Sequence, residues 1–421
     1  MEQTMPEAKT GKSLSIGIAA LCLALSMVLA GKATAEDSPV KVGGALGLNW
    51  IYGDYTDDRG DNIGSMRLEV FRIDADLNYN NLTGRVEYRY YNEPSYDYSM
   101  MHTAWLGYSS DGLGTVRAGI VRAPFGPGNY GISSSWFFDQ HYYVGLIDDM
   151  DLGVRWTKSI GDLTVDVAYF LEDEGHWDGS SVDSARYSYD PVLWTERVAT
   201  DGTIGWGEAL EHGFTEDGQI NLRAEYAIDG FGDIGASVQY GRLKGQNVGS
   251  SSADHVAASV HGATTFGNIK VASQLSYYEY DITNTPPWGS VDLIPMGAFN
   301  FAWPVASEAW IPSISLQYQG IDTSGFDQLH SVTPYLEWSS IVKQHDEFND
   351  SSLLTLGAVW NWAGWYIYTD LAFSDGNYFV GNDGDAYGNV FNGVGDFGAN
   401  GNDKWNARFN VNIRHYFNLY K

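Results

Sequence analysis

The chain has 421 residues, with 24 Lys and Arg against 53 Asp and Glu, and a formal net charge of −29 at pH 7. So acidic a balance argues against a nucleic-acid or phosphate-binding role. A single cysteine rules out a disulfide framework, and with it a thiolate metal site.

At the start, Lys9 and Lys12 precede an apolar run, 14–30, and Ala33-Thr34-Ala35 is a small-residue cleavage site. This predicts a secretory signal peptide over 1–35, cleaved after Ala35. The run is broken by small residues and is short for a membrane-spanning helix. Cys22 lies inside it, after Leu21 rather than the small residue of a lipoprotein site, so the exported part, 36–421, has no cysteine. No later stretch approaches the ~20 apolar residues of a transmembrane helix. Aromatic content is 14% and there are 49 glycines. In an exported chain this combination predicts a β-rich transmembrane protein.

Period-2 alternation runs from end to end. Met66, Leu68 and Val70 are apolar at even positions, whereas Phe71, Ile73, Ala75, Leu77 and Tyr79 are apolar at odd ones. A one-residue slip inverts every later side chain, so a β-bulge is predicted at Val70-Phe71. Next, Leu82, Gly84, Val86, Tyr88 and Tyr90 alternate with Thr83, Arg85, Glu87 and Arg89. The pattern recurs at 150–156, 163–169, 220–226, 234–240, 269–277, 314–318 and 332–338. At the end, Trp405, Ala407, Phe409, Val411, Ile413 and Phe417 face away from Asn406, Arg408, Asn410, Asn412 and Arg414, with His415 interrupting the apolar face. A strand sorts residues in this way and a helix scatters them.

Connections alternate between short (80–81, 109–114, 159–162, 228–232, 267–268) and long (54–64, 122–149, 172–218, 244–254, 374–404). Apolar faces tend to end in aromatics such as Tyr79, Tyr108, Tyr169, Tyr318 and Trp338. Both features predict an all-β fold, a transmembrane antiparallel β-barrel with short periplasmic turns and long external loops. A soluble sandwich or propeller shares the alternation but not the unbroken run of strands. At ~24 residues per strand and connection, about 16 strands are expected, with about 18 as the alternative. The candidate strands come to an odd number, and Pro286, Pro287, Pro295, Pro304 and Pro312 blur the pattern where the error must lie.

Ala104-Trp105-Leu106-Gly107-Tyr108, Gly114-Thr115-Val116-Arg117-Ala118-Gly119 and Pro124-Phe125-Gly126, then Val144-Gly145 and Gly153-Val154-Arg155-Trp156, resemble the strand–turn–strand around the third loop of the bacterial porin superfamily. The phosphate-selective porin family is the nearest branch in this resemblance, although the acidic balance matches its basic lumen poorly. The chain also departs from porins in running on past Phe417 to Lys421. The resemblance implies that 123–149 folds into the lumen as the constriction loop. It also implies a homotrimer in the outer membrane, in contact with lipid and lipopolysaccharide and inserted by the barrel-assembly machinery.

Arg67, Arg72, Arg85, Arg89, Arg117, Arg155 and Arg223 fall on polar faces, as do Glu87, Arg408 and Arg414. Between Arg122 and Arg155 there is no Lys or Arg, while Asp139, Asp148, Asp149 and Asp151 occur. A basic wall of Arg72, Arg85, Arg117 and Arg155, opposite Asp139, Asp148 and Asp149, is the candidate constriction. Its transverse field would favour hydrated, polar solutes. The simpler reading is a set of lumen salt bridges, such as Arg85 and Arg89 with Glu87. The nine histidines form no H-E-x-x-H pair, and neither a G-x-S-x-G elbow nor a P-loop is present, so no catalytic or metal site is expected by motif. The stretch 381–385 offers calcium-type oxygen ligands without EF-hand spacing, and solvated loop is the plainer reading, so no cofactor is expected. These features predict a passive, weakly cation-preferring channel for small hydrophilic solutes, not an enzyme. A phosphate-type selective porin is the alternative, ahead of an adhesin using 172–218 or a barrel hydrolase.

Overall fold

The computed structural model describes residues 39–54, 64–92, 97–179, 185–198, 208–282, 292–345, 348–377, 379–380 and 405–419. The expected signal peptide and the acidic stretch 381–385 lie outside these. In chain order the strands are β1 (Val40–Gly53), β2 (Ser65–Tyr79), β3 (Leu82–Asn92), β4 (Asp97–Ser110), β5 (Gly114–Arg122), β6 (Met150–Ile160) and β7 (Leu163–Asp173). There follow β8 (Asp190–Pro191), β9 (Leu193–Val198), β10 (Glu208–Ile228), β11 (Gly232–Gln246), β12 (Ser252–Phe266), β13 (Ile269–Asp281), β14 (Leu293–Ala298) and β15 (Phe301–Ala306). The last are β16 (Glu308–Tyr318), β17 (Leu329–Lys343), β18 (Ser351–Trp362), β19 (Trp365–Ser374) and β20 (Asn406–Asn418).

Sixteen of these strands close into one antiparallel barrel, β1 to β7, then β10 to β13, then β16 to β20, which pairs back onto β1. Closure leaves no unpaired sheet edge, the condition for a sheet to cross a bilayer. Burial is inverted relative to a soluble protein. On β10 to β13 the outward Leu222, Val238, Val260 and Leu275 are exposed, while the inward Asn221, Gln239, Ser259 and Gln274 are buried. Exposed aromatics stand at strand ends: Tyr79 closes β2, Tyr318 closes β16 and Trp365 opens β19. These positions suit the two membrane interfaces. His415, the interruption on the apolar face of β20, stacks on Trp365 at 4.6 Å between ring centroids. Among the described residues no helix is long and apolar enough to cross a membrane.

The odd strand has a physical explanation. Between β13 and β17 the chain contributes one barrel strand, β16, and one hairpin, β14–β15, which pairs with β8 in a separate three-stranded sheet. Pro295 and Pro304 face each other in that hairpin. Proline has no ladder N–H, so a short side sheet tolerates it better than a central strand does. Pro312 sits in β16, and the β16–β17 ladder runs from Trp310 to Ser313 without pairing Ile311 or Pro312. β9 is also extra to the barrel and pairs with the first residues of β10.

The slip in β2 is absorbed one residue earlier than the sequence suggests. Gly47 pairs with Val70 and Leu48 with Leu68, so Glu69 is the unpaired extra residue. Val70 is buried and Glu69 bonds to groups in the lumen, so both point inward, and Phe71 resumes the outer face. At the other end of β2, Asn80 turns the chain with a φ of +55°, a left-handed position that asparagine accepts.

Candidate functional site

After β5 the chain turns inward instead of forming a hairpin. Arg223 Nε donates to the Gly126 carbonyl at 2.6 Å, and Gly126 N–H donates to Ser237 Oγ at 3.1 Å, which seats the start of the loop on β10 and β11. Its tip reaches β17 and β19. Glu337 accepts from Ser133 Oγ at 2.5 Å and from Ser134 N–H at 2.7 Å, and Asp370 accepts from Trp136 N–H at 3.2 Å. Trp136 Nε1 donates to Glu69 on β2 at 2.6 Å. Gln140 N–H donates to Ser339 Oγ at 3.0 Å, and His141 Nε2 lies 2.9 Å from Ser276 Oγ. The wall beneath the loop therefore presents small hydroxyls and carboxylates, which take the loop's polar groups without filling its space. A short 3-10 turn, Tyr142–Val144, ends at Gly145 with a φ of +73°. A Cβ there would stand 2.2 Å from the Tyr189 carbonyl oxygen, so the return of the loop requires glycine. The third loop is thus folded into the lumen, as expected.

The loop leaves a cavity of about 460 Å³ against β1 to β4, β18, β19 and β20. Five arginines line it, Arg67, Arg72, Arg89, Arg408 and Arg414, with one acid, Glu69. Aromatic rings make up much of the rest, among them Tyr91, Trp136, Tyr187, Tyr368 and Tyr416. Guanidinium groups lie over several of these rings: Arg72 over Tyr416 at 5.0 Å, Arg89 over Tyr187 at 4.4 Å and Arg408 over Trp136 at 4.9 Å. Such contacts hold the arginines flat without consuming their charge.

A closed barrel with a third loop seated in its lumen has known counterparts. The fold is a porin fold. OmpT of Vibrio cholerae, in its trimer form, aligns over 90% of this chain and 98% of its own, with a TM-score of 0.52 at 14% identity. OmpF of Salmonella typhi, in complex with daunomycin, aligns over 89% and 97%, with a TM-score of 0.53 at 12% identity. The outer membrane channel DcaP of Acinetobacter baumannii aligns over 90% and 97%, with a TM-score of 0.53 at 10% identity. No protein-family model matches the chain, and no curated protein matches it in sequence.

Within this porin fold the sequence-selected residues take different places. Glu87, on β3, gathers three guanidinium groups, Arg85 at 2.7 Å, Arg89 at 2.6 Å and Arg72 at 3.6 Å, with the His102 ring at 3.6 Å. Arg72 also bonds Asp74 at 2.9 Å, and Arg85 bonds Asp76 at 2.8 Å. Arg414 pairs with Glu69 at 2.9 Å. Arg408 donates to Asn410 at 2.8 Å and to the Phe379 carbonyl at 2.9 Å. Arg155 and Arg223 both grip Asp166, at 2.8 and 3.1 Å. Arg117 stands beside Arg155 in register and lies over Trp105 at 5.2 Å. Of the proposed wall, Arg72 lines the cavity; Arg85, Arg117 and Arg155 do not.

The loop acids are not arrayed across an open gap from the arginines. Asp148 accepts from Arg122 Nε and from the Tyr187 hydroxyl, both at 2.7 Å. Asp139 accepts from His141 N–H at 2.9 Å and lies 2.8 Å from its Nδ1. Asp149 is buried beside Glu174 and Asp190; desolvation, helped by the Glu174 charge, pushes its carboxyl up to about 8. A bare carboxylate in a closed space is costly, which is why Asp139 and Asp148 take donors where loop meets wall. Sequence reasoning missed Glu69, Glu337, Asp370 and the aromatic lining. Glu337 was readable on the polar face of 332–338. Glu69 was readable too, since it shares the polar face of Arg67; the residue that the bulge turns inward is Val70.

Proposed function

We propose that this chain is an outer-membrane porin that lets small hydrophilic solutes and ions diffuse passively. The inverted wall enclosing a loop-narrowed, charge-lined cavity is the observation that carries this reading. Two opposed fields bear on its ion preference. The net charge of −29 concentrates cations at the mouth, but mouth charges act within a Debye length, ~8 Å at physiological salt. Inside, five arginines against Glu69 line the cavity and are screened less. The interior arginines favour anions, but the acids outnumber the cations of the whole chain, 53 to 24, so the channel is expected to prefer cations weakly at low salt, with that preference falling as salt rises. Reversal potentials across KCl gradients in a planar bilayer test this. Clear anion selectivity at low salt would overturn the cation preference and favour a phosphate-type channel; a barrel that carries no current would overturn the porin reading and favour an adhesin or a hydrolase.

The assembly is proposed to be a homotrimer embedded in lipid and lipopolysaccharide and inserted by the barrel-assembly machinery; OmpT of Vibrio cholerae is described in a trimer form. Native mass in mild detergent is expected to be three chains, and a single barrel would overturn it.

The aromatic lining supports a second, selective reading. Rings with guanidinium groups beside them suit solutes that carry both a flat apolar face and an acid. In the same recordings, block of the ion current by benzoate but not by glucose would favour it.

A further inference from the structure

Where the third loop returns to the wall, carboxylates crowd together. Asp149, Asp151 and Asp190 are 4%, 0% and 2% exposed, and their ligand oxygens lie within 4.8 Å of one another. They come from three places: the loop's last residue, the second residue of β6 and the inner strand β8. Glu174 and Glu216 add their negative fields at the same point. Among the described residues the one cation bonded to the trio is Arg186, whose Nη1 lies 3.0 Å from Asp190 and 3.0 Å from Asp173. One guanidinium does not balance this charge.

A second observation comes from outside the trio. Glu174 is 5% exposed, and its Oε1 is held by the N–H groups of Tyr187 and Ser188 at 3.1 and 2.9 Å. Its Oε2 has no hydrogen-bond partner. The same is true of Asp149 Oδ1 and Asp151 Oδ1. Asp151 Oδ2, by contrast, accepts from Gln219 Nε2 at 3.2 Å, so the amide sits on one side of that carboxylate and leaves the other bare. Buried acceptors without donors are costly and uncommon, and here several converge with like charge.

The geometry points to a calcium site built by Asp149, Asp151 and Asp190, with Glu174 beside it. All the donors are oxygen, which suits hard cations and not zinc. Calcium accepts cages made wholly of carboxylate and carbonyl oxygens, whereas magnesium keeps several waters and is rarely held by protein oxygens alone. A trio this buried, with its oxygens within 4.8 Å of one another, suits the larger ion. None of these residues belongs to the acidic stretch 381–385. Occupied, it would tie the end of the third loop to β6 and to the inner sheet, fixing the loop's return limb.

Terbium stands in for calcium and is excited through nearby tyrosines, here Tyr187 and Tyr189. The full-length barrel, stripped with a chelator in detergent, is expected to show one saturable terbium site per chain. Calcium should displace it and equal magnesium should not. Asp151→Asn and Asp190→Asn should each weaken binding roughly tenfold or more. Asp383→Asn with Asp385→Asn should leave it intact. Heat-shifted gel mobility shows which variants are folded, and the wild-type titration decides by itself whether an ion binds. No saturable terbium signal, equal competition by magnesium, or binding indifferent to folded Asp151→Asn and Asp190→Asn would each overturn the site.

Discussion

Glu87→Gln should shift the channel toward anions and destabilise the barrel by about 3 kcal/mol, the lower end of the cost of breaking a buried ion pair. Glu87 is 3% exposed and holds Arg85 and Arg89 at 2.7 and 2.6 Å, with Arg72 at 3.6 Å. Glutamine keeps the shape and removes the charge. Arg72 and Arg85 then retain Asp74 and Asp76, which is why the loss stays at the lower end. Arg89 keeps its seat on the Tyr187 ring but loses its acid. Since Arg72 and Arg89 line the cavity, their uncompensated charge faces the permeating ion. Urea unfolding and the reversal potential read the two effects separately. A stability loss with no change in reversal potential would mean that the cluster does not reach the permeation path.

The second large effect is expected at the loop tip. Glu337→Ala removes the acceptor for Ser133 Oγ, for Ser134 N–H and for Ser315 Oγ on the wall, and leaves Ser315 only the bond it accepts from Gln317. Hydrogen bonds to a charged group contribute about 1.5–3 kcal/mol each, so the tip loses most of its hold on β17. Trp136 keeps Asp370 and Glu69, so the loop loosens without leaving the lumen. Single-channel conductance should rise and become noisier, and larger sugars should enter proteoliposomes faster. The barrel itself should remain folded, because its ladders are untouched. Glu337→Gln keeps an acceptor for Ser134 N–H and should be milder. Conductance equal to the parent in Glu337→Ala would show that the tip does not limit flow.

The barrel was legible because alternation is a local property. Each strand from β3 to β20 that sorts polar from apolar residues declares both its direction of burial and its membrane setting, and the inverted burial of Asn221 and Leu222 follows directly from that sorting. The inner sheet was not legible, because β8, β14 and β15 are short, proline-bearing and paired across a long stretch of chain. The constriction was legible only in part. Alternation says that Arg85 and Arg89 share a face, but which of them meets the open space depends on strand tilt and on where the loop lies. The carboxylate cluster shows the same limit. Asp149 and Asp151 stand out as an acidic pair, yet their partner Asp190 is brought to them by folding alone.

The bulge in β2 gives Glu69 an unusual status under insertion and deletion. Loss of one residue from an unbulged stretch of a wall strand would turn the remainder of that strand inside out, sending charges into lipid. Loss of Glu69 would instead restore unbroken alternation, because Leu68 and Phe71 already face outward on either side of Glu69 and Val70. The lumen would shed the carboxylate that holds Arg414 and Trp136 while every other side chain kept its face. Loss of a single codon at this position thus rewrites the charge of the pore while sparing the register of the barrel, a route by which related channels can diverge in selectivity without passing through an unfolded intermediate.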